Sequence, residues 1–245
     1  GGSFHYFGAV PRQNAAAIDL RTGDLLPWNP GPNGWVRALD IAGGTVYIGG
    51  DFTTIGGQSR HYIAALDGVT GLLSSWDPSP NSPVNGLQVA DDVVFFVGNF
   101  TSVAAGSRGR GAAMHVNGTA GAWNPAADAE IEALFVDGSR VYIGGTFDMV
   151  GGVARSKLAA VDSSLGTLAT AFAPSVTGST PVVYRIDGQN GSVFFGGRFS
   201  AVNGSTRNSA AAVKGAPGAI DDGQLLGWNP DVSGQIYDLD AFGDN

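Results

Sequence analysis

The chain has 245 residues, 21 acidic against 13 basic side chains, a formal charge of -8, 39 glycines and no cysteine. At 43% hydrophobic content it can bury the core of one large all-β domain or two ordinary ones. The acidic balance, with lysine only at 157 and 214, argues against nucleic-acid binding. No apolar run reaches the roughly 18 residues of a spanning helix, so membrane insertion is not expected, and the missing cysteine excludes disulfides, thiolate catalysis and zinc–cysteine sites.

The chain opens on Gly1-Gly2-Ser3-Phe4, and variants of this phrase return as Gly49-Gly50-Asp51-Phe52, Val97-Gly98-Asn99-Phe100, Gly144-Gly145-Thr146-Phe147 and Gly196-Gly197-Arg198-Phe199. The phenylalanines stand 48, 48, 47 and 52 residues apart, which sets a repeat of about 48 residues. A start at Gly1 without Met reads as a removed leader or as a piece cut from a longer chain. In the second repeat, Thr45–Ile48 precedes the phrase, and Tyr62–Asp67, Leu72–Trp76 and Gly86–Val89 follow it. These short β-branched and aromatic runs, separated by Thr-Gly, Asp-Gly and Asn-Pro signals, predict four antiparallel strands per repeat and no helix of three turns.

Five such repeats predict an all-β fold: a single five-bladed β-propeller over residues 1–245, with four-stranded antiparallel blades. The Gly-Gly pair is expected on the innermost strand, where blades crowd together. At the far end, Asp238–Asn245 aligns with Ala38–Thr45, so the two termini are expected to share one blade. The break then falls inside a strand, as in a trimmed module or five units of a larger array.

A second phrase, Ala16-Ala17-Ile18-Asp19, Thr22-Gly23 and Trp28-Asn29-Pro30, recurs as Ala64-Ala65-Leu66-Asp67, Thr70-Gly71 and Trp76-Asp77-Pro78. It degrades to Ala160-Val161-Asp162 and Phe172-Ala173-Pro174 in the fourth repeat. It resembles the Ala-x-Asp-x-x-Thr-Gly-x-x-x-Trp phrase of quinoprotein-type propeller repeats, in which the Trp docks one blade on the next. With Val46-Tyr47-Ile48-Gly49-Gly50-Asp51-Phe52 in front, it is similar to the delta-sixty type of bacterial propeller repeat and to the repeats of fungal cortical polarity-marker proteins. The resemblance covers essentially the whole chain and implies an exported or surface-attached propeller. The quinoprotein enzymes have eight blades, a calcium-bound quinone and a catalytic acid, which no segment here reproduces.

Eight residues beyond each repeat Phe stand Arg12, Arg60, Arg108, Arg155 and Arg207, five of the eleven arginines. One reading is a set of equivalent anion or glycan sites, since a planar guanidinium suits carboxylates, sulfates and vicinal oxygens. The other is that each arginine staples its hairpin to a neighbouring backbone or to the recurrent aspartate. That aspartate, at Asp19, Asp67 and Asp162, is replaced by His115 and Lys214 in the other repeats, and its expected role is to organise a turn through its short side chain. Calcium binding would need further oxygen ligands at loop spacing.

Trp28, Trp76, Trp123 and Trp228, with Phe172 in their fifth place, share a register that favours inter-blade packing over sugar stacking. Trp35 falls outside that register and is the better candidate for an exposed contact. Glu130 and Glu132 are the only glutamates. At period two they would share a strand face, as a like-charge catalytic pair or as a solvated edge. His5, His61 and His115 sit at three different offsets, so no metal site is expected from them. The fifth repeat carries an insertion around Lys214–Asp222, which is expected on a loop of one face.

Together these features predict a non-catalytic extracellular or cell-surface binding and scaffolding module, with a protein or glycan ligand and no cofactor. A multivalent lectin with equivalent inter-blade sites, similar in architecture to the five-bladed tachylectin type, is one alternative. A five-bladed glycosidase or lyase, which needs converging carboxylates, is the other.

Overall fold

The computed structural model describes residues 1–241, and among these every regular element is a β-strand. The chain packs as two compact units: Gly1–Arg108 with Ala112–Gly121, and Gly109–Gly111 with the chain from Ala122 onward.

Four antiparallel three-stranded sheets recur at the repeat spacing. In the first unit, Val36–Ala42, Thr45–Gly50 and Ile63–Asp67 form one sheet, and Val84–Ala90, Val93–Gly98 and Gly111–His115 the next. The second unit repeats the pattern with Ile131–Asp137, Arg140–Gly145 and Leu158–Asp162. Its other sheet joins Val182–Gln189, Ser192–Arg198 and Ala210–Lys214. The central strand of each sheet has neighbours on both edges and is covered on both faces, so it reads as an unbroken apolar run such as Val46-Tyr47-Ile48 rather than an alternation. Between the second and third strands a two-by-two hairpin is inserted, for example Thr54–Ile55 with Gln58–Ser59.

The expected four-stranded blade is corrected in two ways. The run Gly86–Val89 pairs with Val93–Gly98 and so opens the next sheet. The run Leu72–Trp76 contributes only one bridge, Leu66 to Leu73, matched by Ile18–Leu25, Met114–Ala120, Val161–Leu168 and Val213–Leu225. It ends early because the next carbonyl, of Ser74, is taken by the Arg60 side chain, and Pro78 soon follows with no N–H to give.

The Gly-Gly pair lies at the end of the central strand rather than on an innermost one. A Cβ on the first glycine would meet a branched side chain of the following repeat, with Gly49 at 2.7 Å from Val84 Cγ1 and Gly144 at 2.5 Å from Val183 Cγ1. On the second it would strike a carbonyl across a β-bulge, as from Gly50 to Trp35 O at 1.9 Å. Sequence crowding is real, but it comes from the neighbouring sheet and the bulge.

The cores lie between successive sheets. Trp28 and Ala15 of the first repeat pack with Ile48 and Phe52 of the second, and Tyr47 and Trp76 of the second pack with Phe96 and Phe100 of the third. In the other unit Tyr142 and Phe172 pack with Phe195 and Phe199. The first repeat lacks the long strands of the others: its third segment holds only the Ile18–Leu25 bridge, and Ile18 is 41% exposed where Leu66, Val161 and Val213 are wholly covered. At the other end, Ile236 N–H donates to Gly197 O at 3.1 Å and Ala241 N–H to Asp187 Oδ2 at 2.6 Å. The latter repeats the bond from Val89 N–H to Asp40 Oδ2 at 2.7 Å, so residues 236–241 run beside the last sheet as 84–90 run beside the first. The expected alignment of the termini also involves Phe242-Gly243-Asp244-Asn245, which lie outside the described residues.

Candidate functional site

Each two-by-two hairpin leads directly into its arginine, and two residues later the chain turns through a left-handed corner at Asn14, Tyr62, Arg110, Lys157 or Ser209, with φ between 58° and 67°. The corner amide donates back to the repeat phenylalanine, as from Tyr62 N to Phe52 O at 2.8 Å. This corner holds the guanidinium over the segment that follows the Thr-Gly turn.

Four of the arginines make one arrangement. Arg12 donates from Nη1 to Pro11 O at 2.9 Å and from Nη2 to Leu26 O at 3.0 Å. Arg108 does so to Ser107 O and Gly121 O, Arg155 to Ala154 O and Thr170 O, and Arg207 to Thr206 O and Leu226 O. Each bridges its hairpin to the abbreviated fourth segment, which is the staple geometry. Two of the five N–H groups are used in this way, and in all five arginines Nε is buried without a partner. Arg60 keeps the bond to Ser74 O at 2.9 Å but turns Nη1 to Asp77 Oδ2 at 2.5 Å. Among the described residues, Arg60 is the one member of the five with a carboxylate partner.

Beside two of these staples lie matching cavities. One, of about 380 Å³, is lined by Pro11, Arg12, Gln13, Asn29 and Gly31 together with His5 and Tyr6. The other, of about 390 Å³, is lined by Ala154, Arg155, Ser156, Ala173 and Ser175 together with Asp148 and Pro174. Both fall within the 300–1,000 Å³ range of small-ligand sites. Burial pulls the Arg155 guanidinium below its ordinary value. Asp148 is held by Lys157 Nζ at 2.6 Å.

The recurrent aspartates organise turns. Asp67 Oδ1 accepts from Thr70 N at 2.6 Å, Thr70 Oγ1 at 2.7 Å and Val69 N at 3.1 Å, and these bonds hold its carboxyl below the usual range. Burial alone would raise Asp162, but bonds from Ser164 Oγ, Leu165 N and Thr167 N outweigh it and hold it far lower.

Trp28, Trp76 and Trp123 are buried and donate Nε1 to the carbonyls of Asp67, His115 and Asp162, each at the turn of the next repeat. Trp228 departs from this packing. It is 42% exposed and meets Phe194 edge-on at 5.3 Å, beside a cavity of about 220 Å³. Trp35 is 57% exposed at the entry to Val36–Ala42.

Glu130 precedes the strand Ile131–Asp137, and Glu132 falls where the register shifts at a bulge, which breaks the two-residue period that would set them on one face. No group of three or more His, Asp or Glu suited to a metal occurs among the described residues. The insertion after Lys214 is anchored rather than open: Asp222 is buried against Arg140 at 2.7 Å, and Lys214 pairs with Asp221. Sequence reasoning missed the position after each repeat tryptophan. Asn29, Asp77, Asn124 and Asn229 stand there, with Ala173 after Phe172 in the fourth repeat, and the lone acid among the five was the signal.

No protein-family model matches the chain, and no curated protein matches it significantly. Among solved structures it is similar to the computationally designed Ika4 protein, at 17% identity and a TM-score of 0.50, covering 75% of this chain and 93% of that one. It is also similar to the computationally designed Ika8 protein, at 17% identity and a TM-score of 0.51, over 84% of this chain and 64% of that one. Likeness at this identity speaks to the fold alone.

Proposed function

We propose that the chain is a non-catalytic β-propeller of the cell exterior that serves as a binding and scaffolding module, with ligand sites at the repeat arginines. The observation that carries this reading is the recurrence of one cavity, of nearly equal volume and at one register, beside Arg12 and Arg155. A repeat fold that presents the same small site more than once gains from multivalent engagement of a protein or glycan surface, since each further contact is made at high effective concentration. Successive sheets at the repeat spacing support the propeller reading, and five phenylalanine-keyed repeats support five blades. The register shift at Glu132 weighs against a glutamate pair sharing one strand face, the arrangement that the glycosidase reading relied on.

The test is a glycan and peptide panel followed by calorimetric stoichiometry. More than one site per chain is expected, with one lost in Arg12→Ala and another in Arg155→Ala. Binding that survives the double substitution would overturn the placement of the sites, and turnover of a panel glycan would overturn the non-catalytic reading.

A further inference from the structure

The second and fourth repeats hold the same guanidinium in two electrostatic states. In the second, Asp77 places one carboxylate oxygen 2.5 Å from Arg60 Nη1 and the other 2.9 Å from the Ser79 amide. In the fourth, the residue at the Asp77 position is Ala173, and Arg155 has no acidic partner among the described residues. The space left there belongs to the 390 Å³ cavity, which both Arg155 and Ala173 line.

We infer that this cavity takes a carboxylate-bearing ligand of about monosaccharide size, with its carboxylate standing where Asp77 stands in the second repeat. The inference rests on the binding-module reading and names the chemistry of its site. A half-buried guanidinium that spends two N–H groups on carbonyls, and whose Nε–H is buried, keeps one N–H on each Nη for a ligand, and a charge-assisted pair there is stronger than a neutral one. Asp148 also lines the cavity, but its charge is countered by Lys157, which limits repulsion of an incoming anion. The Ser175 amide is already taken by Asn203 Oδ1 at 2.8 Å, so the guanidinium is the anchoring group. In the first repeat Asn29 occupies the equivalent place beside Arg12 and leaves a cavity of similar volume, which makes it a second, more polar version of the site.

The experiment follows the arginine Nε–H resonances of the full chain by NMR during titration with sodium glucuronate, against glucose at matched ionic strength. The Arg155 resonance, assigned through Arg155→Lys, moves saturably with glucuronate and not with glucose. Ala173→Asp supplies an internal carboxylate and weakens the response about tenfold or more. Asp77→Ala, read independently of whether Ala173→Asp folds, brings Arg60 into the response. An Arg155 resonance unmoved by glucuronate overturns the inference, as does an Ala173→Asp variant that folds and binds like the parent. Equal binding of glucose overturns the carboxylate chemistry while leaving the binding-module reading intact. Silence of both Arg12 and Arg155 across the whole panel overturns both.

Discussion

The second and fourth repeats share their strands, their left-handed corner and their arginine staple, yet they differ in what surrounds the staple. In the second, Arg60 is neutralised by Asp77 from its own loop, whereas in the fourth Arg155 is left without a carboxylate beside a cavity. The fourth adds an ion pair that the second lacks: Arg140 opens its central strand where Thr45 opens the other, and it is matched by the buried Asp222. Features carried by backbone geometry are thus common to both, while charge is distributed repeat by repeat. Conserving the scaffold leaves each staple free to be closed or open through one residue in the following loop.

The comparison is broken most severely in the core. Phe52→Ala and Phe147→Ala each remove a fully buried ring and are expected to cost about 3–5 kcal/mol by denaturant titration. A clear inequality would mean that the two repeats are not structurally equivalent. Asp222→Asn leaves Arg140 buried and uncompensated, with an expected loss of about 3–5 kcal/mol, and Thr45→Ala in the second repeat should lose far less. Next come the staples: Arg60→Ala should lower stability by about 1–3 kcal/mol, and Arg155→Ala by somewhat less because no ion pair is lost with it.

The smallest effect is on acid stability. The carboxyls of Asp67 and Asp162 are both held below the ordinary carboxylate value. Their contribution is therefore complete above about pH 3.9 and is lost as pH falls through the folded values. Asp162→Asn should flatten the acid limb of the stability profile more than Asp67→Asn, because Asp162 lies further below its ordinary value.

Much of this fold could be read from the chain. The phenylalanine spacing marked the repeat, and the Asp-x-x-Thr-Gly phrase marked the turn that Asp67 organises, because both are local and periodic. The shortness of the fourth strand could not be read, since Leu72-Leu73 is as apolar as a true strand and its pairing is limited by the reach of Arg60 across the hairpin together with Pro78. The Gly-Gly pair signalled crowding without saying from which side. Trp228 kept its sequence register but not its burial, because burial depends on what packs against it. The cavities at Arg12 and Arg155 were half legible: the arginines stood out, but the role of Asn29, Asp77 and Ala173 depends on a loop approach that spacing does not reveal.

The single bridge that ends each sheet also governs how these sheets meet other chains. A long, flat outer strand would offer a row of free N–H and C=O groups to any neighbouring strand, the usual seed of edge-to-edge association. Here, in the second repeat, pairing beyond Leu66 and Leu73 is cut short, the Ser74 carbonyl is occupied by a cation and a proline follows within four residues. That sheet edge is therefore a poor template for strand addition, and Arg60 in the staple position doubles as a guard against polymerisation.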